Sequence, residues 1–123
     1  MADLSMKRDI QAVYDLADDG MPLGELMEAI CGVLSRHADA LTGITYGYRV
    51  HAGDTGYEKA FALVGGRFAV LGEKEAADVT VTGKEEDLRL VFQRKLSPMA
   101  ALLRGKLKVV GSKAALMKLG EFL

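Results

Sequence analysis

The spacing of apolar residues changes near position 44 of this 123-residue chain, and this change most restricts the folds open to it. Before it, Leu23, Leu26, Met27, Ile30 and Leu34 recur at three- and four-residue intervals, the period of a helix with one apolar face. After it, apolar and polar residues alternate, the period of a strand with one buried face. Both periods within one domain-sized length predict an α+β fold.

Two helices are predicted before this change. The first runs from Ser5 to Gly20, and its apolar positions follow the helical repeat. The second begins at Pro22, a residue suited to the first turn of a helix. Each helix has one apolar face, so the two are expected to form a helix pair.

Five strands are predicted after the second helix. The first three are joined by short turns, which favours an antiparallel meander. Gly65-Gly66 is typical of a two-residue hairpin loop between the second and third strands. The predicted strands are residues 44–51, 57–64, 67–71, 77–82 and 106–109.

Three short helices are predicted around the last two strands. Thr82 and Glu85 have the spacing of a capping box, which predicts the start of the first of them. Ser97 before Pro98 predicts the N-cap and first position of the next helix, and Gly105 predicts its end. The third helix is expected to follow residue 112.

Charge is unevenly distributed along the chain, although the formal net charge is only -1. Residues 94–118 hold seven basic and no acidic side chains, whereas residues 1–93 hold nine basic and 16 acidic ones. The basic segment contains no aromatic residue on which bases could stack, so we expect no nucleic-acid partner. It is either a solvated face or a surface for anions.

Groups that carry catalysis or bind metals are scarce. Cys31 is the single cysteine, and His37 and His51 fall at the ends of a predicted helix and strand. No common metal-binding or nucleophile motif occurs. We therefore expect no metal, no cofactor and no enzymatic activity. The N-terminus has no signal-peptide pattern, and no apolar run approaches the roughly 20 residues of a membrane span, which favours a cytoplasmic location.

Short motifs in the last third of the chain follow one another in a recognisable order. They are Ala-Asp-Val-Thr-Val-Thr at 77–82, Leu-Ser-Pro-Met-Ala-Ala at 96–101 and Gly-Lys-Leu-Lys-Val-Val-Gly at 105–111. With these motifs, residues 77–119 resemble the sterol carrier protein-2 family. Arg94 and Arg104 depart from the family pattern, in which many members have glycine and vertebrate members have glutamine, respectively.

The resemblance implies a five-stranded, mostly antiparallel sheet with helices packed on one face, enclosing an apolar tunnel. It also implies non-enzymatic binding and transfer of a fatty acid, fatty acyl-CoA, phospholipid, sterol or isoprenoid-like lipid. Residues 21–123 would form the lipid-binding domain, and residues 1–20 a helix that offers a partner surface. The alternative is a dimerisation or accessory module for a lipid-metabolising enzyme, with a filled core; a homodimer is compatible with both.

Two sets of candidate site residues follow from this resemblance. Apolar residues on the helices and sheet are expected to line the tunnel, and basic residues to hold a head group or to contact an anionic membrane transiently. The apolar set is Phe61, Phe68, Val70, Phe92, Leu96, Met99, Leu102, Leu103, Leu116, Leu119 and Phe122. The basic set is Arg94, Lys95, Arg104, Lys106 and Lys108.

Overall fold

A computed structural model describes residues 4–16 and 21–120. Within these residues the chain forms five α-helices and five strands, which confirms the predicted α+β class. The helices are Leu4–Leu16 (α1), Leu23–Arg36 (α2), Glu85–Phe92 (α3), Pro98–Leu103 (α4) and Lys113–Gly120 (α5). The strands are Tyr46–Ala52 (β1), Glu58–Val64 (β2), Arg67–Val70 (β3), Val79–Gly83 (β4) and Leu107–Gly111 (β5).

The five strands form one sheet in the order β3-β2-β1-β4-β5. The meander predicted for the first three strands is confirmed, because β1 pairs antiparallel with β2, and β2 with β3. β4 and β5 are also antiparallel, whereas β1 and β4 run parallel at the centre of the sheet. The sheet is therefore mostly antiparallel, as expected.

The inner face of the sheet, which the helices cover, is built from alternating apolar residues. Tyr48 of β1 stands opposite Phe61 of β2 and Val79 of β4, and Val50 stands opposite Val81. All five side chains are buried. Helix α2 adds seven buried residues to the same core, at the helical spacing seen in the sequence: Leu23, Leu26, Met27, Ile30, Cys31, Val33 and Leu34.

The outer face of the sheet is organised around Arg49. Its Nη1 donates to Oε2 of Glu58 at 2.7 Å, and its Nη2 donates to the carbonyl oxygens of Gly72 and Glu75. These bonds tie the connection between β3 and β4 across β1.

Helix α1 packs against α2. Its Met6 and Ile10 are buried, so its apolar face is used within the chain. Nε2 of His37, at the end of α2, lies 2.7 Å from Oδ2 of Asp9. This hydrogen bond lowers the pKa of the Asp9 carboxyl below its usual value. The partner surface assigned to residues 1–20 stays a prediction.

Several element boundaries differ from those expected. β1 begins at Tyr46 and not at Ile44, because the backbone N–H of Ile44 closes a turn by donating to the carbonyl oxygen of Leu41 at 3.0 Å. The strand instead continues to Ala52. The predicted end of the first helix, Gly20, lies outside the described residues.

The capping box expected at Thr82 is wrong. β4 continues through Gly83, so Thr82 is a strand residue paired with β1 and β5. The cap of α3 comes from the turn between β1 and β2, where Oδ1 of Asp54 accepts a hydrogen bond from the backbone N–H of Glu85 at 2.9 Å. A carboxylate distant in sequence thus accepts the hydrogen bond that was expected to go to a neighbouring hydroxyl.

The start and end predicted for α4 are confirmed. Ser97 is its N-cap, and its hydroxyl oxygen accepts from the backbone N–H of Ala100 at 3.4 Å. Pro98 occupies the first position of the helix. Gly105 follows the end of the helix with a φ of 73°, a backbone conformation that favours glycine. Of the described helices, none has the length and apolar character to cross a bilayer.

Candidate functional site

A cavity of about 500 Å³ lies between α3, α4 and α5 on one side and β4 and β5 on the other. It thus occupies the half of the sheet's inner face formed by the last third of the chain. Helix α1 reaches it through one side chain, Tyr14. The lining residues are Tyr14, Val81, Val91, Phe92, Arg94, Leu96, Ser97, Pro98, Met99, Leu102, Leu107, Lys113, Leu116, Met117 and Leu119.

Short helices and sharp turns leave this space open. α3 ends at Phe92, and Arg94 then adopts a φ of 63°, which redirects the chain toward α4. Gly111 ends β5 with a φ of 105°, and a side chain there would overlap the carbonyl oxygen of Asp78. The hydroxyl of Ser112 then caps the last helix by accepting from the backbone N–H of Ala115 at 3.0 Å. No single helix therefore spans this half of the sheet.

The floor and walls of the cavity are apolar. Val81, Leu107 and Leu119 are buried at its floor. The walls come from half-buried side chains on α3, α4, α5 and the connection between α3 and α4, including Phe92, Leu96, Leu102 and Leu116. The free energy falls when an apolar molecule replaces water against a surface of this kind.

The rim of the cavity, defined here as the lining residues that are exposed, has a different composition. It consists of Arg94, Ser97, Pro98, Met99, Lys113 and Met117. Its two charged residues are both cations. The cavity therefore changes from an apolar interior to a mouth that carries positive charge and flexible methionines.

Tyr14 and Arg94 meet at one side of the cavity. The Arg94 guanidinium carbon lies 5.9 Å from the centre of the Tyr14 ring, within the range of a cation–π contact. Burial raises the pKa of the Tyr14 hydroxyl above its usual value, and Arg94 opposes that shift. Tyr14 is thus a neutral hydrogen-bonding group at neutral pH. Tyr14 is not among the lining residues predicted from the sequence.

Six of the predicted lining residues are brought together in the cavity. They come from α3, α4, α5 and the connection between α3 and α4. The other predicted lining residues lie elsewhere, apart from Phe122, which is outside the described residues. The six are Phe92, Leu96, Met99, Leu102, Leu116 and Leu119.

Phe61, Phe68 and Val70 lie on β2 and β3, in the half of the sheet away from the cavity. The Phe61 ring stacks between Tyr48, at a centroid distance of 5.4 Å, and Phe68, at 5.7 Å. The Tyr48 hydroxyl in turn donates to the carbonyl oxygen of Ala115 at 2.7 Å. This aromatic stack belongs to the filled core, and Val70 on the edge strand is 61% exposed.

Leu103 also lies outside the cavity, although its neighbour Leu102 lines it. The Leu103 side chain is 82% exposed. Consecutive residues on a helix point about 100° apart, so one faces the cavity and the next faces solvent. The sequence repeat did not distinguish between the two leucines.

The predicted basic residues are divided between two places. Arg94 lines the cavity, whereas Lys106 and Lys108 line a separate polar groove beside Asp54 and Asp87. Nζ of Lys106 lies 3.8 Å from Oδ1 of Asp87. Two further predicted cations, Lys95 and Arg104, are exposed and line neither space. A rim cation outside the predicted set is Lys113.

The groups best suited to covalent or metal chemistry lie away from the cavity. Cys31 is buried in α2, and burial raises the pKa of its thiol to about 11. His37 contacts Asp9, and Nδ1 of His51 lies 3.4 Å from Oε1 of Glu58. Across residues 4–16 and 21–120, no group of three histidine, cysteine, aspartate or glutamate side chains is placed to hold a metal ion.

These features define a class of small α+β domain in which short helices enclose an apolar, ligand-sized space against one half of a sheet. A model of the SCP-2 sterol transfer family matches residues 28–123. The match covers most of the chain, and the chain belongs to this family. Helix α1 and the first residues of α2 lie before the matched region.

Solved structures share this fold. The sterol carrier protein domain 2 of Helicoverpa armigera is 25% identical over 79% of this chain and 81% of its own, with a TM-score of 0.57. The ubiquinone synthesis protein UbiJ-SCP2 is 19% identical over 80% of this chain and 93% of its own, with a TM-score of 0.60. A search of curated protein sequences gave no match.

One similar structure is a much larger enzyme. The inverting sec-alkylsulfatase Pisa1 from Pseudomonas sp. is 26% identical over 76% of this chain, with a TM-score of 0.58. The match covers 15% of the length of the sulfatase. The fold of this chain therefore also occurs as a small part of a longer protein.

Proposed function

We propose that this protein binds one apolar lipid chain in the cavity and transfers it without catalysing a reaction. The observation that carries the proposal is the apolar space of about 500 Å³ bounded by α3, α4, α5, β4 and β5. Its volume falls within the roughly 300–1,000 Å³ typical of small-molecule sites. Membership of a lipid-transfer family supports the same ligand class.

The energetics suit a carrier. Burial of each methylene is worth about 0.8 kcal/mol relative to water. A bilayer also buries the chain, so most of this gain cancels when lipid moves between membrane and protein. Ordering the lipid costs further free energy. A ligand held in an apolar cavity with an exposed rim would therefore exchange with membranes.

The polar end of the lipid would lie at the rim. Arg94 and Lys113 are the cations of the rim, and Ser97 provides a hydroxyl group there. The half-buried Tyr14 provides a second hydroxyl group beside Arg94. A carboxylate or phosphate placed between such groups gains charge-assisted hydrogen bonds. We therefore propose a lipid with an anionic head group. Lys106 and Lys108 line the separate polar groove and are not part of this head-group site.

The proposal of a carrier without catalytic activity is supported by the chemistry of the lining. Among the described residues that line the cavity, the polar side chains are Tyr14, Arg94, Ser97 and Lys113. No carboxylate or imidazole accompanies Ser97 there to activate its hydroxyl as a nucleophile. Positive charge and apolar surface are suited to holding a ligand.

Native mass spectrometry of the purified protein, followed by displacement of a fluorescent fatty acid, tests this function. We expect bound lipid in the first measurement and saturable displacement in the second. A protein without lipid that also fails to bind the probe would contradict the proposal. That result would favour the alternative, a dimerisation or accessory module for a lipid-metabolising enzyme.

Adjacent leucines provide a matched pair of variants. Leu102→Trp places bulk into the cavity and should weaken probe binding by about ten-fold or more, because filling the space removes room for the chain. Leu103→Trp adds the same side chain on the solvent side and should leave affinity within about two-fold. Equal losses in both variants would show that the cavity is not the binding site.

A further inference from the structure

We propose that the cavity mouth docks directly on anionic lipid bilayers through a surface formed by α4, the start of α5 and the adjoining turns. This docking surface consists of Arg94, Met99, Leu103, Arg104, Lys113 and Met117. The inference rests on the proposed function, because docking at the mouth serves transfer only if the cavity binds lipid. It names the membrane that supplies or receives the lipid.

The first observation is a set of exposed apolar side chains around the mouth. Met99 is 59% exposed, Leu103 82% and Met117 68%. Met99 and Met117 both line the cavity, so α4 and α5 meet at its mouth. Leu103 lies four residues after Met99 on α4, on the same side of the helix. Soluble surfaces seldom group large apolar side chains in this way without a binding role.

Leu103 is the most informative member of this group. It neither lines the cavity nor packs into the core, so lipid binding in the cavity does not explain it. A leucine beside the mouth is well placed to enter the boundary between head groups and acyl chains. Insertion there would bury the side chain in an apolar phase.

The second observation is charge complementarity. Arg94, Arg104 and Lys113 are exposed around the apolar side chains, and residues 94–118 contain no acidic residue. A cation near an anionic membrane surface increases partitioning by about five-fold. By contrast, the polar groove formed by Lys106 and Lys108 also contains acidic residues. An anionic bilayer therefore fits the docking surface better than it fits the groove.

The position of the cavity favours a bilayer over an acidic protein as the occupant. The mouth opens within the docking surface, because Arg94, Met99, Lys113 and Met117 belong to both. A docked molecule would face the lipid with its cavity, and a chain would pass between the two apolar phases without crossing water. An acidic protein at this position would cover the mouth.

Co-sedimentation with vesicles tests the docking surface. The full chain is mixed with neutral phosphatidylcholine vesicles, or with vesicles in which about one-third of the lipid is phosphatidylserine, at low salt and at about 0.5 M salt. We expect binding to the anionic vesicles at low salt, with loss at high salt. Absence of binding, or equal binding to both kinds of vesicle, would overturn the proposal.

Paired variants locate the contact. Leu103→Ser with Arg104→Glu changes two exposed residues that do not line the cavity. We expect vesicle partitioning to fall on the order of a hundred-fold, from lost apolar insertion and reversed charge. The matched control is Val64→Ser with Arg67→Glu, two exposed residues at the far side of the sheet. Equal effects in both pairs would overturn the assignment of the surface.

Probe binding in solution separates the two proposals. The variant at Leu103 and Arg104 should bind the fluorescent fatty acid with unchanged affinity, which also shows that it is folded. Loss of vesicle binding with retained probe binding supports docking. The protein could instead bind vesicles through Leu103 and fail to bind the probe. That result would support docking and contradict lipid binding in the cavity. Retained vesicle binding in the variant would overturn docking alone.

Discussion

The two halves of the sheet's inner face are covered by helices of different length. α2, with 14 residues, lies over the β2 and β3 side and contributes seven buried side chains to a filled core. α3, α4 and α5, with eight, six and eight residues, cover β4 and β5 and leave the cavity. Apolar residues at helical spacing therefore produce a packed core under one long helix and an open cavity under three short ones.

The size of the buried side chains also differs between the two halves of the inner face. The buried residue of α4 is Ala101, and Ala115 of α5 is also fully buried. In α2 the buried residues are leucine, isoleucine, methionine, valine and one cysteine. Among their described side chains the three short helices bury four apolar residues, Leu88, Ala101, Ala115 and Leu119, whereas α2 alone buries seven. The filled half should thus determine stability, and the other half ligand binding.

Truncation of one leucine in each half should show the largest contrast. Leu34→Ala removes a side chain with no exposed surface from the filled half, and should cost about 2–5 kcal/mol of unfolding free energy. Leu116→Ala enlarges a space that already exists, and should cost less than about 1.5 kcal/mol. Urea unfolding measures both values. Equal losses of unfolding free energy in the two variants would contradict the division of the inner face into a filled and an open half.

Bound lipid should act on the open half. At a ligand concentration of 100 times Kd, linkage predicts a gain of about 2.7 kcal/mol in stability. Amide hydrogen exchange should then slow in α3, α4 and α5 more than in α2, because the former helices line the cavity and α2 does not. Protection that increases mainly in α2 would place the ligand outside the cavity.

The smallest effect is expected at the contact between α1 and α2. Asp9→Asn removes the carboxylate beside His37 and should lower Tm at pH 7 by no more than a few degrees, because the carboxylate is near the surface. The hydrogen bond lowers the Asp9 pKa, so its contribution is present above the ordinary value of 3.8 and is lost as the pH falls through the lowered value.

The difference in Tm between wild type and Asp9→Asn should therefore disappear in strong acid. Probe affinity measured in parallel shows whether α1 also belongs to the open half, since it supplies Tyr14 to the cavity. A Tm difference that persists unchanged below the titration of Asp9 would contradict this account of the contact.

Local chemistry was predictable from the sequence, and long-range geometry was not. Ser97 and Pro98 identified the start of α4, because a cap and its helix are adjacent in the chain. Thr82 and Glu85 have the three-residue spacing of a capping box, but pairing of β4 with both neighbours keeps Thr82 in a strand. Asp54 supplies the cap from 31 residues away, which no local pattern indicates.

The candidate site was predictable only in part, for the same reason. Apolar repeats identified the helices that surround the cavity, but not which side chain on a helix faces it, as Leu102 and Leu103 show. Phe61 fits the alternation of strand β2, but it lies in the aromatic stack and not at the cavity. Tyr14 enters the site through the packing of α1, which depends on tertiary structure.

The parallel pairing of β1 with β4 has a consequence for the newly made chain. β1 ends at Ala52 and β4 begins at Val79, so β2 and β3 are synthesised before β1 receives its second neighbour. Until then, one side of β1 presents unpaired backbone groups, which are a template for pairing between chains. A chain that stops short of Val79 would keep this edge and should aggregate. We therefore expect the last third of the sequence to protect the first part from aggregation as well as forming the cavity.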